Sequence, residues 1–378
     1  MRKIILILGV LAILIWLSEF VVSQESAHVV LSNDLKFVFM ENDGSGKFAA
    51  KFTKGTSVPL PHEITAGDFD LDGIWDVAVN HHQEGKFTIF WGSKTEGKRD
   101  FREQVFEIPF APEGEMHAIG KGDFDEDGDV DLALVDNVGG FGGIIPSNVV
   151  IALSDGKGEF SDMKKYDIGI NKNIRSIKVD DFNGDKHLDF IVPEALGESY
   201  YVFLNNKNNV VGEFDVQERS GGLRLHFIES GDIDGDGDED IALADAQYIR
   251  FGRNNGLGAF TSDEKICVLD SQNICINEDF NSVELADYNN DGFLDVAGLR
   301  RDRIYLWLGD GRGKFELTSK AKVSAPKVID IESVDVNGDG IKDIIAGYDD
   351  AGKSGIFVFR NGFSFVRGDA DDSGVLDL

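Results

Sequence analysis

The sequence predicts an all-β fold, a seven-bladed β-propeller, from three observations. A short aspartate-rich segment occurs six times along the 378 residues. A segment with the signature of a β-hairpin alternates with these copies and occurs seven times. Helix-length amphipathic patterns are absent from residue 28 onward. Four short strand signals in each unit of about 50 residues are typical of a propeller blade.

The aspartate-rich copies share the pattern Asp-x-(Asp/Asn)-x-Asp-x-x-x-Asp and continue into apolar residues, as in "GDIDGDGDEDIALAD". One strand signal enters each copy and another leaves it, so we expect each copy to form the loop between the first and second strands of a blade. Their first aspartates recur every 48 to 58 residues, at Asp68, Asp123, Asp181, Asp232, Asp287 and Asp335.

The hairpin segments supply the third and fourth strands of each unit. They contain a turn rich in Gly, Asn and Asp before a phenylalanine, as in "VVIALSDGKGEF" and "IYLWLGDGRGKF". One further hairpin, from Leu35 to Phe52, precedes the first aspartate copy, and it makes the seventh blade, one without an aspartate loop. The alternative is six blades plus an extra hairpin. Closure into a ring would leave no exposed sheet edge in this long all-β chain.

The aspartate copies have the chemistry of calcium loops. Ca²⁺ takes six to eight oxygen ligands, and a tight turn presents every second side chain to one point. The side chains at positions 1, 3, 5 and 9, with the carbonyl of position 7, supply such a set. We predict about six Ca²⁺ sites, because the converging carboxylates repel one another without a cation. The predicted ligands are Asp68, Asp70, Asp72, Ile74, Asp76, Asp123, Asp125, Asp127, Asp129, Asp131, Asp181, Asn183, Asp185, His187, Asp189, Asp232, Asp234, Asp236, Asp238, Asp240, Asp287, Asn289, Asp291, Phe293, Asp295, Asp335, Asn337, Asp339, Ile341 and Asp343.

The third copy departs from the pattern, since Lys186 stands at position 6, where the other copies have glycine. A side chain there is costlier in the backbone geometry that the turn needs, and it brings a positive charge beside the metal. Gly184 at position 4 can relax the turn. We expect the third loop to be the weakest of the six sites.

These residues resemble the FG-GAP or VCBS repeats of β-propellers like those of integrin α-subunits, whose signature is "GDFDxDGxxD". The likeness covers about Leu35 to Val366. It implies calcium bound in the loops between the first two strands of the blades and, often, adhesion or ligand recognition. It implies no reaction. The chain then divides into a signal peptide over residues 1–23, a propeller over 24–366 and a tail over 367–378.

Both ends of the chain carry signals of their own. Two basic residues precede an apolar run from Ile4 to Leu17, which predicts a secretory signal peptide cleaved after about Ser23. An uncleaved membrane anchor is the alternative. We therefore expect a secreted or periplasmic protein. The tail from Arg367 resembles the opening half of a dockerin-like calcium loop, with ligand spacing at Asp369, Asp371, Ser373 and Asp377.

The negative charge of the chain limits the kinds of molecule that it can bind. The formal net charge of −31 would repel nucleic acid and anionic membrane surfaces. No stretch besides the signal is long enough to span a membrane, and we expect a monomer. The two cysteines, Cys267 and Cys275, can bridge their loop in an oxidising compartment, and two free thiols are the alternative.

A candidate ligand site lies six residues before each first aspartate, where five of six residues are polar or basic. If these positions begin the innermost strands, they meet around the central channel and can hold an anion, a sugar or a metal. The alternative is that the repeat favours a polar residue where a strand begins. The segments "NHHQ" and "NVGGFGGIIPS" are interpreted as surface loops. The candidate residues are His62, His117, Arg175, His226 and Asn281.

The sequence therefore favours a secreted calcium-binding β-propeller that acts as a binding or adhesion module for a glycan or protein partner. No nucleophile elbow, zinc-protease motif or phosphate-binding loop is present. The alternative is an extracellular carbohydrate-active enzyme, such as a polysaccharide lyase, on the same propeller. A lyase needs a base of near-neutral pKa beside cations in one cleft, so clustering of Arg175, His117 and His226 would favour it.

Overall fold

Six sheets of four strands each follow one another along the chain in the computed structural model. Within each sheet the strands occur in chain order and pair antiparallel, except for a short parallel strand at the C-terminus. This meander is the topology of a propeller blade. The structure describes the side chains of most residues from Lys54 to Arg360 and the backbone of residues 2–9, 21–24, 27–33, 36–42, 48–82, 84–95, 98–109, 111, 116–136, 146–170, 172–194, 199–205, 210–220, 227–245, 247–276, 279–322, 328–350, 353–360 and 375–376.

The strands are numbered in chain order, and each blade starts with its innermost strand. An N-terminal sheet contains β1 (Arg2–Gly9), β2 (Val21–Gln24), β3 (Ala27–Asn33), β4 (Lys36–Asn42) and β5 (Phe48–Gly55). Blades one to three contain β6 (Pro61–Gly67), β7 (Asp76–His81), β8 (Lys86–Thr95) and β9 (Lys98–Glu107); β10 (Met116–Gly122), β11 (Asp131–Asp136), β12 (Pro146–Leu153) and β13 (Asp162–Ile170); β14 (Lys178–Asp180), β15 (Asp189–Pro193), β16 (Ser199–Leu204) and β17 (Asp215–Ser220). Blades four to six contain β18 (Phe227–Gly231), β19 (Asp240–Ala244), β20 (Ile249–Arg253) and β21 (Thr261–Ile266); β22 (Ser282–Ala286), β23 (Asp295–Arg300), β24 (Arg303–Gly309) and β25 (Phe315–Lys322); β26 (Val328–Val334), β27 (Asp343–Asp350), β28 (Lys353–Phe359) and β29 (Val375–Leu376).

The prediction of seven blades is wrong, and its alternative of six blades is supported. The predicted N-terminal hairpin is present as β4 and β5, which pair antiparallel. It belongs, however, to a five-stranded sheet in the order β2-β1-β3-β4-β5, in which β1 and β3 are parallel. A hairpin signal cannot distinguish a blade from any other antiparallel pair, because the local pairing is the same in both.

The six aspartate loops all lie where the sequence predicts them, between the first and second strands of a blade. The first strands of successive blades contact one another, from β6 through β10, β14, β18 and β22 to β26, so they line the central channel. Each loop therefore lies at the end of an innermost strand, and all six lie at the same end of the channel.

Aromatic side chains fill the space between blades. In loops one to three the residue after the first aspartate is buried and packs on the phenylalanine that ends the hairpin turn of the following blade. Phe69 contacts Phe160 with ring centroids 6.2 Å apart, and Phe124 contacts Phe214 at 5.7 Å. The aspartate loop and the hairpin phenylalanine are thus two halves of one contact between blades, which explains why they alternate along the chain.

Cys267 and Cys275 form a disulfide in the segment between β21 and β22. The apolar run of the predicted signal peptide falls largely within residues 10–20, which lie outside the described residues. So do the four dockerin-like positions Asp369, Asp371, Ser373 and Asp377. Among the described residues, no helix is long and apolar enough to span a membrane.

Candidate functional site

Each aspartate loop turns through two residues in the left-handed backbone region. The φ of position 6 is positive in all six loops, from 73° at Lys186 to 95° at Gly128. The φ of position 4 is positive as well, from 56° at Leu71 to 79° at Gly235. Glycine adopts this region without strain, which explains its presence at position 6 in five loops. Lys186 takes the same conformation with a side chain, as predicted.

The aspartates hold the backbone of their own loops. In every loop the N–H of position 6 donates to Oδ2 of position 1, at 2.8–3.1 Å. The N–H of position 7 donates to Oδ1 of position 5, at 2.7–3.0 Å. These carboxylates therefore shape the turn, as Asx turns do elsewhere, in addition to any role toward a metal.

The ninth aspartate of each loop is buried and joins the loop to its blade. Its Oδ2 accepts a hydrogen bond from the N–H of position 2 in all six loops, at 2.8–3.2 Å. In blades one to five its Oδ1 accepts from an N–H near the end of the third strand, at 2.7–2.9 Å. Burial raises the pKa of Asp76 to about 8 and that of Asp131 to about 7. A cation in the loop would lower these pKa values again.

The hydrogen bonds of the ninth aspartate continue into the preceding blade. In blades two to four, the residue whose N–H binds this aspartate also donates from its side chain to the position-2 carbonyl of the loop before it. These bonds run from Ser154 Oγ to Phe69 O at 3.4 Å, from Asn205 Nδ2 to Phe124 O at 2.8 Å and from Asn254 Nδ2 to Phe182 O at 2.8 Å. Each of these loops is thus hydrogen-bonded to two blades at once.

Three loops bring three carboxylates together closely enough to share a cation. Within each set, one oxygen from every residue lies within 4.8 Å of the others. One buried oxygen in each of these loops, Oδ1 of Asp68, Asp123 or Asp234, has no hydrogen-bond partner. Buried carboxylate oxygens without partners are unfavourable, and they are the ligands that Ca²⁺ prefers, so these loops fit the ion. The sets are Asp68, Asp70 and Asp76; Asp123, Asp125 and Asp127; and Asp232, Asp234 and Asp240.

The other three loops have asparagine at position 3 and satisfy their carboxylates internally. Nδ2 of Asn183, Asn289 and Asn337 donates to the aspartate at position 5, at 2.9–3.2 Å. Oδ1 of each asparagine accepts the N–H of position 5 at 2.9 Å. A cation bound in these loops must break the hydrogen bond from the asparagine Nδ2 to the aspartate at position 5.

An arginine lies against the carboxylates of loop four. Nη1 of Arg253 is 3.1 Å from Oδ2 of Asp240, and its Nε is 3.8 Å from Oδ2 of Asp234. Arg253 also pairs with Glu264 at 2.7 Å. A protein cation therefore neutralises part of loop four, and it competes there with a metal ion.

Three histidines meet near the start of the innermost strands of blades one and two. His62 is the second residue of β6, His117 is the second residue of β10, and His82 follows β7. The ring centroids are 4.7 Å apart for His62 and His117, 4.8 Å for His82 and His117, and 5.6 Å for His62 and His82. Burial, and then the positive charges of His117, His82 and Arg175, lowers the pKa of His62 well below its usual range. The His62 ring is therefore neutral near pH 7.

His82 belongs to this cluster, although the sequence suggested only a surface loop for "NHHQ". Pro61 pairs with His81 across β6 and β7, and the N–H of His82 donates to Leu60 O at 2.8 Å. In an antiparallel pair the end of the second strand returns to the start of the first, and this rule could have located His82. His81 has another role, since its ring nitrogens hydrogen-bond to Thr88 Oγ1 at 2.7 Å and Pro59 O at 3.1 Å.

Of the other predicted ligand residues, only Arg175 is placed near the histidine cluster. Arg175 lies near enough to His62 to lower its pKa, and its Nε donates to Asn173 Oδ1 at 2.9 Å. Asn281 precedes β22, where its Oδ1 accepts from the N–H of Arg301 at 3.2 Å. His226 lies outside the described residues. Of the predicted ring, the structure thus brings His62, His117 and Arg175 together.

Farther along the channel, a cavity of about 90 Å³ lies between the innermost strands of blades three to six. Burial, and then the charges of Glu229 and Asp330, raises the pKa of Glu284 well above its usual range. Burial also raises the pKa of Asp330. Lys178 is 2.7 Å from Glu229 and offsets part of this charge. The folded protein therefore binds a proton at Glu284 and at Asp330 more tightly than the unfolded chain does.

Comparison with known proteins identifies the repeat. The FG-GAP-like repeat matches residues 123–192, 232–298 and 287–346, which contain loops two to six. No curated protein sequence matches the chain.

Several solved structures have a similar fold. A lectin of Agrocybe aegerita, described as specifically recognising non-reducing terminal N-acetylglucosamine, is 17% identical with a TM-score of 0.55, over 92% of this chain and 93% of that chain. BBS1N in complex with ARL6DN is 13% identical with a TM-score of 0.52, over 84% and 82%. A putative 6-phosphogluconolactonase of Bacteroides uniformis is 13% identical with a TM-score of 0.50, over 80% and 81%. At these identities the likeness concerns the fold.

Replacing the ninth aspartate of loop two should destabilise the protein even without metal. In Asp131→Asn one of two acceptor oxygens becomes an NH₂ group that faces a backbone N–H, so we expect a loss of about 1–3 kcal/mol. Denaturant unfolding in EDTA at pH 8 measures this loss. Asp127→Asn in the same loop is the control, because asparagine keeps an Oδ1 for the N–H of Asp129. Equal losses in the two variants would contradict the role assigned to Asp131.

The acids of the channel cavity should make the protein less stable as the pH rises. The pKa of Glu284 is higher in the folded than in the unfolded chain, so its contribution is present below pH 4.5 and is lost as pH rises through the folded-state value. Each pKa unit corresponds to about 1.4 kcal/mol. Denaturant unfolding between pH 5 and pH 8 at constant Ca²⁺ should show a smaller loss for Glu284→Gln than for the wild type. The exposed Glu316→Gln is the control, and an unchanged slope in Glu284→Gln would refute the assignment.

Proposed function

Because the chain carries FG-GAP-like repeats arranged as a β-propeller, we propose that it is a calcium-stabilised binding module for a glycan or protein partner. The observation that carries the proposal is the meeting of the His62, His82 and His117 rings at the channel, with Arg175 near enough to His62 to lower its pKa. Binding residues are commonly presented in this way, on short segments that a rigid scaffold positions.

The chemistry of this cluster suits a polar ligand. Imidazole and guanidinium groups offer N–H donors to hydroxyl and carboxylate oxygens, and the imidazole faces can pack on the apolar side of a sugar ring. The lectin with a similar fold supports a glycan as the ligand, as an analogy of fold. Arg175 gives the site a positive charge within a strongly acidic protein, which favours a ligand with a carboxylate.

Calcium in this proposal has a structural role. Loops one and two should bind Ca²⁺ most tightly, because each has aspartate at position 3 and one buried carboxylate oxygen without a hydrogen-bond partner. Loop four follows, since Arg253 competes there with the ion. The asparagine loops, three, five and six, are weaker, and loop three is weakest because of Lys186. Ions bound at the end of each innermost strand would hold first and second strands together.

Export is part of the same proposal. The disulfide between Cys267 and Cys275 supports an oxidising compartment, where such bonds persist. Secretion through the N-terminal apolar run is consistent with calcium loops, because extracellular calcium is abundant enough to fill sites of modest affinity.

A polysaccharide lyase is the second candidate function. The closeness of His117, Arg175 and His62 favours it, because a base and a cation in one place are what proton abstraction beside a carboxylate requires. His62 itself is buried and neutral, and an enzyme would have to use the half-buried His82 or His117 as its base.

Calcium titration should reveal sites of unequal affinity. Calorimetry on the wild type should show tight binding at loops one and two and weaker binding elsewhere. Asp70→Asn converts loop one to the asparagine type and should remove a tight site, whereas Asn289→Asp converts loop five to the aspartate type and should add one. EDTA should lower the melting temperature, because an ion that binds only the folded state stabilises it. Six equal sites, or no effect of EDTA, would refute the proposal for calcium.

Ligand binding should depend on the cluster at the channel. On a glycan array and with candidate protein partners, Arg175→Ala and His117→Ala should weaken binding by about five- to thirtyfold, as a loss of about 1–2 kcal/mol implies. Arg312→Ala, on an exposed turn of blade five, is the control. Release of unsaturated sugars from an acidic polysaccharide would instead favour the lyase. Binding that is unchanged in both cluster variants would place the ligand elsewhere.

A further inference from the structure

Two of the three clustered histidines lie at β-bulges. In blade one, two residues of β6, His62 and Glu63, oppose the single residue Asn80 of β7. In blade two, His117 is an extra residue of β10 without a counterpart on β11. A bulge changes the direction of the side chains at its position, and bulges are common next to functional sites. Both histidines therefore occupy irregular positions of an innermost strand, at the end of the channel opposite the aspartate loops.

Buried hydrogen bonds hold the two bulges together. The N–H of Glu63 donates to Oδ1 of Asn80 at 2.7 Å, and both side chains are buried. Oε2 of Glu63 accepts the N–H of Ile119, two residues beyond His117, at 2.7 Å. The carboxylate of Glu63 thus joins the bulge of blade one to the bulge of blade two, and it fixes the position of His62 relative to His117.

The backbone beside the cluster has an unfavourable conformation. Leu60, two residues before His62, has a φ of 53°, in the left-handed region that leucine rarely adopts. Its carbonyl accepts the N–H of His82 at 2.8 Å, and this bond holds the residue after β7 beside the start of β6. Strain of this kind persists only where the surrounding structure imposes it, and it is concentrated at ligand sites. The bulges and the strained turn together indicate a built site.

The three rings are spaced for a group larger than a metal ion. In the part of the chain that the structure describes, the three histidines do not bring one ring nitrogen each within 4.8 Å of the others. Tetrahedral Zn²⁺ needs nitrogens about 3.4 Å apart, because it takes them at about 2.0–2.1 Å. An oxyanion spans a wider gap, since N–H donors lie about 2.7–3.2 Å from its oxygens. The spacing therefore suits a carboxylate or a sulfate.

His62 also has a nitrogen that requires a hydrogen-bond partner. The residue is only 5% exposed, and its Nδ1 has no partner. A buried polar atom without a partner is unfavourable and requires an explanation. A protonated imidazole carries N–H donors on both nitrogens, so an oxygen of an anion would satisfy Nδ1. His82 and His117 are half-buried, which leaves the cluster open to a ligand on their side.

We propose that His62, His82 and His117 bind the carboxylate or sulfate of an acidic sugar and take up a proton with it. The inference deepens the proposed binding function and rests on it, because it names the ligand class of the same site and its dependence on pH. Positively charged imidazole rings with centroids 4.7–5.6 Å apart repel one another, and an anion among them offsets that repulsion.

Proton uptake makes the affinity depend on pH. Burial, and then the positive charges of His117, His82 and Arg175, lowers the pKa of His62 in the free protein. A bound anion favours the charged imidazole, so the pKa rises when the ligand binds. The affinity must then increase as the pH falls between these two values, by up to about tenfold per pH unit for one proton. The net charge of −31 opposes an acidic ligand, but salt at 0.15 M screens charges beyond about 8 Å.

Calorimetry with matched acidic and neutral sugars tests the inference on the full chain, at 0.15 M salt and saturating Ca²⁺. Glucuronate or N-acetylglucosamine 6-sulfate should bind more tightly than glucose or N-acetylglucosamine, and the tighter of the two acidic sugars identifies the group. From pH 8 to pH 6 the affinity for that sugar should rise by about tenfold or more. Titration at pH 6.5 in two buffers of different ionisation enthalpy should show uptake of about one proton per sugar.

Three variants separate proton uptake from charge. In His82→Gln and His117→Gln the ratio of the affinities at pH 6 and pH 8 should fall to near one, because glutamine donates a hydrogen bond but takes up no proton. Arg175→Gln should weaken binding at both pH values and keep the wild-type ratio. His28→Gln, on β3, is the control and should keep both. The wild-type ratio and proton count test the inference even where a variant fails to fold.

Equal affinities for acidic and neutral sugars, or a wild-type ratio near one, would overturn the inference. Histidine variants that keep the wild-type ratio would place the proton elsewhere and overturn it as well. Binding of a neutral glycan or a protein partner that does not change with pH refutes the inference alone and leaves the proposed function standing. No binding of any sugar or protein at either pH refutes both.

Discussion

The buried carboxylate at the ninth position of each aspartate loop is the contact on which the rest of the propeller depends. It accepts one N–H from the start of its own loop and, in five blades, a second from the third strand. Around Asp131, the third-strand residue Ser154 then hydrogen-bonds to the loop of the preceding blade. One side chain thereby connects a loop, a hairpin and a neighbouring sheet. Since both oxygens are occupied by N–H groups, no uncharged residue of similar size can replace it without leaving a donor unpaired.

This arrangement concentrates negative charge inside the molecule, and the structure offsets it in different ways. Arg253 lies against the carboxylates of loop four, and Lys178 pairs with Glu229 in the channel. In the asparagine loops an amide group donates to the aspartate at position 5. At Glu284 and Asp330 the folded protein retains protons. In loops one and two, burial raises the pKa of Asp76 to about 8 and that of Asp131 to about 7, so these buried acids hold their protons to a higher pH than an exposed aspartate does.

The loops and their position between strands could be predicted from the sequence, because the pattern repeats in register and needs no contact beyond itself. The role of the ninth aspartate could be predicted only in part. The sequence pattern predicts it as a metal ligand like the others, whereas its hydrogen bonds are to backbone N–H groups, one from the start of its own loop and, in five blades, one from the third strand. The difference between aspartate and asparagine at position 3 is visible in the sequence. Its consequence, an amide that donates to Asp291 in loop five, appears only when the turn is built.

The sequence by itself determined the period of the repeat, the place of the aspartate loops between first and second strands and the special turn geometry at position 6, because each of these depends on residues close in the chain. The tertiary structure alone decided the blade number, since the N-terminal hairpin has the local pairing of a blade but joins a sheet with parallel strands. It also decided which histidines meet. His82 lies 20 residues beyond His62 and 35 before His117, and only the pairing of β6 with β7 and the packing of β6 on β10 place the three rings together.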